Sequence, residues 1–243
     1  MKILFNFLKL HFILGISVFF CQCFSDTTCI RGDNYTQFFQ REEYNYEKLM
    51  LDINADVEIQ NDTSHNIQIR GQKNIVEQLK SKVNKQILHF YFPGCVKYDS
   101  LNLKIPLGFI NGIKVNSEAI VNINDSIIGN QVELKMSGSG KILTKSIDCQ
   151  NINVDISGSG NIYIQSKSKS TYGNFYSYGS GGFYGDSLTV KTAFVNIGGS
   201  GSVRLQVTDT LTVRIYGSGN LYYKGNPYVK ATIIGSGKLI EIP

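Results

Sequence analysis

The stretch "DISGSGNIYI", residues 155–164, decides the fold because it recurs. Related copies stand at 136–142 ("MSGSGKI"), 177–185 ("SYGSGGFYG"), 196–205 ("NIGGSGSVRL"), 214–223 ("RIYGSGNLYY") and 232–241 ("TIIGSGKLIE"). Each holds a Gly-Ser-Gly: Gly138 with Gly140, Gly158 with Gly160, Gly179 with Gly181, Gly199 with Gly201, Gly217 with Gly219, and Gly235 with Gly237. The copies follow one another at 18 to 21 residues, the period of a solenoid.

Aligning the copies on their glycines gives each column a role. Two residues before the first glycine stand Met136, Ile156, Ser177, Ile197, Ile215 and Ile233; two further back stand Leu134, Val154, Phe175, Val195, Val213 and Ala231. Polar residues such as Lys135, Asp155 and Arg214 alternate with them, which predicts a strand with one buried face. Past the second glycine, Ile142, Ile162, Phe183, Val203, Leu221 and Leu239 begin a second strand in the same way. The pattern predicts an all-β chain, a right-handed parallel β-solenoid with Gly-Ser-Gly corners and coils about 4.8 Å apart. Glycine suits such a corner for two reasons: it accepts positive φ, and it lets backbones approach closely.

Worn copies extend upstream. "IKVNSEAIVNI" (113–123) places Ser117-Glu118-Ala119 at the corner, and "LDINADVEI" (51–59) alternates around Asn54-Ala55-Asp56. Between them "NIQIRG", "NIVEQLKSKV" and "QILHFYF" predict short strands around a helical turn. We expect a signal peptide over 1–23, an N-terminal segment over 24–45 and a solenoid domain over 46–243, with a split near Pro106 as the alternative.

Composition agrees with export. The chain has 243 residues, 14 Tyr, 14 Phe, 24 Gly and no Trp, a bias toward pleated surfaces. Its first 23 residues carry Lys2, Lys9 and a short apolar run, as a secretory signal does. Without them 22 basic residues face 19 acidic ones, too even a balance for a nucleic-acid partner, and no later run is long enough to span a membrane. Acylation at Cys21 or Cys23 is the lesser alternative, because small residues are missing ahead of them. Of the remaining three cysteines an exported protein should pair two; we expect a Cys29–Cys95 disulfide and a free Cys149.

These residues resemble the auto-transporter adhesin family with the head GIN domain. The repeated "SGSGNI" and "GSGNL", the terminal "LYYKGNPYVKATIIGSGKL", the upstream "LDINADVEIQ" and "CIRG" carry the likeness over residues 29–243. The resemblance implies a β-solenoid secreted or displayed at a cell surface, and supplies no catalytic residues; acylation at Cys21 or Cys23 would make that protein lipid-anchored. The family's copies usually carry Asp or Asn after Gly-Ser-Gly. Here Lys141, Asn161, Gly182, Ser202, Asn220 and Lys238 fill that column, which argues against a cation there.

Site chemistry is sparse. Gly138-Ser139-Gly140-Lys141 looks like the tail of a phosphate-binding loop, but Ile142 follows the lysine where Ser or Thr is needed, Lys135 replaces the leading glycine, and "KILTK" continues a strand. "GGFYGD" (181–186) misses the calcium-repeat spacing, and Arg31-Gly32-Asp33 is a three-residue match of the kind chance produces. Asn34, Asn61 and Asn124 begin glycosylation sequons, which matter only in a host with an endoplasmic reticulum. His65 and His89 have no recurring carboxylate or cysteine partner, and Glu133, Asp155, Asp186 and Glu241 read as scattered, solvated charges. We therefore expect no catalytic, cofactor or metal site.

One column remains. Three residues past the second glycine stand Leu143, Tyr163, Tyr184, Arg204, Tyr222 and Ile240, on the outward side, with Tyr176, Tyr178 and Tyr216 outward nearby. Tyr163, Tyr184 and Tyr222 form a candidate binding stripe for a surface glycan or a protein; the same column also suits plain coil-to-coil stacking. The expected function is a non-catalytic adhesion module. The alternatives are a polysaccharide-active enzyme on a β-helix and a purely structural envelope protein. Glu241 falls on an inward position and Pro243 cannot extend a ladder, so "LIEIP" reads as a stop.

Overall fold

The computed structural model describes residues 29–62, 64–108 and 110–243. The expected signal peptide, Cys21 and Cys23 lie outside the described residues, as does the Thr63 of one sequon.

Strands dominate, and 17 of them join one sheet that winds into parallel coils. The inward columns stack as the alignment requires. Leu134 pairs with Val154 and Met136 with Ile156; Ile156 faces Ser177, Ser177 faces Ile197, and Ile197 faces Ile215. On the other side of the corner Val121, Ile142, Ile162, Phe183, Val203, Leu221 and Leu239 follow one another in register. All but Leu239 are buried, so the two columns make one interior that is apolar except at Ser177.

The corners confirm one of glycine's two roles and overturn the other. None of the twelve corner glycines has positive φ; among the described glycines only Gly108 and Gly225 do. Close approach explains them all. The carbonyl of Gly138 accepts hydrogen bonds from the backbone N–H groups of Ser159 and Gly160, both 3.0 Å away, and the Gly158 and Gly179 carbonyls repeat this for the next two coils. A Cβ on Gly158 would stand 2.1 Å from the Gly138 oxygen, and on Gly179 2.0 Å from that of Gly158. The upstream corner at Ser117 keeps its side chain because the hydroxyl itself donates to the Ile53 carbonyl at 2.6 Å.

The N-terminal part departs from chain order. Lys48–Leu51 lies between Ile87–Tyr91 and Gly112–Val115, and Asp56–Gln60 lies between Leu101–Pro106 and the strand beginning at Ile120. This end is then closed by antiparallel strands: Lys80–Asn84 against Ile87–Tyr91 across a turn at Lys85 and Gln86, both with positive φ, and Asn66–Gln72 between Leu101–Pro106 and Thr36–Glu42. The six-residue helix Lys73–Gln78 buries Ile75 and Val76. Cys29 and Cys95 form a disulfide beside the small parallel sheet of Ile30–Arg31 and Val96–Lys97, and Cys149 is free and buried, as expected. At the other end Glu241 stands on the inward column, its carboxylate 3.4 Å from the hydroxyl of the buried Tyr223.

Candidate functional site

Alternation places the tyrosine column outside the coil, and the backbone register keeps it straight. Leu143 faces Tyr163, Tyr163 faces Tyr184, Tyr184 faces Arg204, Arg204 faces Tyr222 and Tyr222 faces Ile240. The Tyr163 and Tyr184 rings stack with centroids 4.8 Å apart and planes 8° from parallel. That separation is the coil spacing itself, so ladder geometry alone suffices to stack them. Burial and then the neighbouring Tyr184 raise the pKa of the Tyr163 hydroxyl. Tyr222 is brought in through Arg204, whose guanidinium lies 5.6 Å from the Tyr222 ring centre while its Nε donates to Asp186 at 3.0 Å. Asp186 is solvated, as expected of it, with its side chain 39% exposed, and it also fixes the arginine that continues the stripe.

A second aromatic group lies on the outer face before the corner. Tyr176 is near both Tyr178 and Phe194, and Arg214 lies 5.5 Å from the Phe194 ring centre. Tyr178 and Tyr216 are each about half exposed, at 51% and 49%. Gly198 sits between them in the stack, and a Cβ there would lie 2.9 Å from the Tyr178 ring. The three tyrosines stand where alternation places them, whereas Phe194 and Arg214 are additions that the structure brings to this face. The signal was available: in adjacent coils these two occupy neighbouring outward columns.

Groups with acid–base or nucleophilic chemistry are dispersed. His89 meets Asp52 at 2.6 Å, while His65 lies against the Tyr44 ring. Burial, partly offset by a hydrogen bond to Ser170, pushes the Cys149 thiol up, away from the reactive thiolate. Glu133 is not a free solvated charge as expected: it is held by Lys48 at 2.6 Å and Lys135 at 2.5 Å. Lys141 opens the strand Lys141–Ile156, so no phosphate loop forms there. Among the described residues no three His, Cys, Asp or Glu side chains gather as a metal site, and no helix is long and apolar enough to cross a membrane.

The profile of the family "Putative auto-transporter adhesin, head GIN domain" matches residues 45–227. No curated protein matches the chain. Among solved structures it is similar to "a putative adhesin" from Bacteroides fragilis, at 20% identity and TM-score 0.82 over 88% of this chain and 100% of that one. A second "putative adhesin", from Parabacteroides merdae, is 17% identical with TM-score 0.70, and a "Putative lipid binding protein" from Parabacteroides distasonis is 20% identical with TM-score 0.70. Each of the latter two covers 88% of this chain and 99% of its own. At these identities the likeness is one of fold.

Proposed function

Because the chain belongs to the auto-transporter adhesin family with the head GIN domain, we propose that it is a non-catalytic, exported or cell-surface binding module whose contact surface is the outer face carrying Tyr163, Tyr184 and Tyr222. The observation that supports this is the stacked pair Tyr163 and Tyr184, continued by Arg204 over Tyr222. Coil stacking holds these groups rigid before any ligand arrives, so little side-chain entropy is lost on contact. An aromatic row of this kind offers flat apolar area with hydroxyl and guanidinium edges, suited to a glycan or a protein surface. Lipid, which the Parabacteroides distasonis neighbour is named for, fits this chain less well, since side chains such as Phe175 and Phe183 fill the coil interior.

The test sets wild-type protein beside the Tyr163→Ser/Tyr184→Ser/Tyr222→Ser variant on a glycan array and on intact cells, with a polysaccharide-degradation assay in parallel. Binding that the folded variant loses supports the stripe. Unchanged binding removes it, and time-dependent product release refutes a non-catalytic role.

A further inference from the structure

The outer face that carries the tyrosines continues to the N-terminal end, where it becomes a cleft of about 500 Å³. Its walls are two rows of outward side chains set by the pairing of neighbouring strands. In one row Phe38 faces Arg70, Arg70 faces Asn102, and Asn102 faces Asp56. In the other Lys104 faces Glu58, and Glu58 faces Asn122, which faces Leu143 at the head of the tyrosine column.

Three properties define what such a cleft accepts. Its charges cancel: Asp56 and Glu58 oppose Arg70 and Lys104, with Lys104 and Glu58 already 3.5 Å apart. A polyanion would meet two carboxylates and a polycation two bases, so neither gains from entering. Beside the Lys104 ammonium, which Glu58 engages, its polar groups are carboxylates, amides and a guanidinium, planar groups that grip paired hydroxyls in two places at once. Finally, Phe38 is 77% exposed, with the Arg70 guanidinium 5.5 Å from its ring centre. An exposed aromatic beside planar polar groups, with no net charge, matches the alternating C–H faces and hydroxyl edges of a sugar.

We infer that this cleft is a binding site for a neutral saccharide, with the sugar ring on Phe38 and its hydroxyls held by Asp56, Asn102 and Arg70. The site stands on its own residues; only the course of a longer glycan, past Asn122 and onto Tyr163 and Tyr184, rests on the proposed role of the tyrosine face.

The experiment titrates the protein with cellohexaose, chitohexaose, xylohexaose and mannohexaose, with the matching disaccharides, and with a heparin hexasaccharide, by calorimetry. At least one neutral hexasaccharide should bind, and Phe38→Ala and Asp56→Ala should each weaken it about tenfold while the urea midpoint stays put. No binding by any neutral hexasaccharide, binding by both variants as tight as wild type, or preference for heparin overturns the inference. The triple tyrosine variant separates the two readings. If both hold, it keeps wild-type affinity for the disaccharide but loses the extra affinity of the hexasaccharide. If only the cleft holds, it binds both as wild type does.

Discussion

The carbonyl oxygen of Gly138 lies 2.1 Å from where a Cβ on Gly158 would stand. Both partners are backbone in stacked coils, and that oxygen already accepts two hydrogen bonds from the corner above, so neither side can yield without breaking the ladder. Gly158→Ala should therefore cost about 3 kcal/mol, the upper end of overpacking. Gly129 is the control: it lies in a strand with nothing within 4 Å of its absent Cβ, and Gly129→Ala should leave stability unchanged or slightly raised. Urea midpoints of the two variants check this, and equal midpoints would show that the corners have slack.

Lys48 reaches Glu133 across an intervening coil. In the stack Gly112 lies between them, and a Cβ on it would stand 2.8 Å from the Lys48 side chain. Burial opposes ionisation of Glu133, but hydrogen bonds and charge from Lys135 and Lys48 outweigh it and hold the carboxyl below its ordinary 4.5. A depressed acid pKa contributes stability that is complete above the ordinary value and is lost as pH falls through the lower folded value. Solvent screens part of the pairing, so Glu133→Gln should cost about 0.5–1 kcal/mol at pH 7 and nothing once the pH is below the folded value. Gly112→Ala should displace the flexible lysine and remove its share of the same slope. Urea midpoints measured from pH 7 down to pH 3 decide it; parallel curves for wild type and Glu133→Gln would rule the bridge out.

This bridge also marks where the sequence stops being legible. Six coils can be read directly because each repeats its glycines and its inward columns within about twenty residues, and three of them repeat the outward tyrosine. No local pattern says that 48–51 inserts between 87–91 and 112–115, or that 36–42 runs antiparallel to 66–72, so Lys48 with Glu133 and Phe38 with Asp56 could not be matched beforehand. The glycine corners were legible in position but not in cause. Positive φ and close approach both select glycine, and only the φ angles and the neighbouring carbonyls tell them apart.

The Cys29–Cys95 disulfide closes a separation of 66 residues at the capped end. On the chain-entropy account a loop of that size contributes about 4 kcal/mol by restricting the unfolded chain. Replacing both cysteines by serine should lower the urea-derived stability by about that amount, and dithiothreitol should do the same to wild type. A loss under about 1 kcal/mol would mean the unfolded chain is already compact there. Cys149 supplies an internal check: buried, with its thiol pKa raised, it should resist iodoacetamide at pH 8 until urea unfolds the chain.

Ser177 interrupts a column that otherwise reads Met136, Ile156, Ile197 and Ile215, and the coil around it explains the small residue. Phe175 and Phe183 meet inside that coil with ring centroids 5.0 Å apart. Gly173 and Gly185 make room for them, since a Cβ on either would come within 2.5 Å of a ring. Two phenyl rings leave no volume for an isoleucine in the same layer. Serine fits by size, but its buried hydroxyl has no hydrogen-bond partner among the described residues. An unpartnered buried hydroxyl costs more than a methyl in its place, so Ser177→Ala should raise stability by about 1 kcal/mol. Ser177→Ile, which restores the column's usual residue, should lower it by about 1–3 kcal/mol through overpacking. Urea midpoints of the two variants against wild type test the pair; a destabilised alanine variant would show that the hydroxyl is satisfied, and a stabilised isoleucine variant that the rings leave a void.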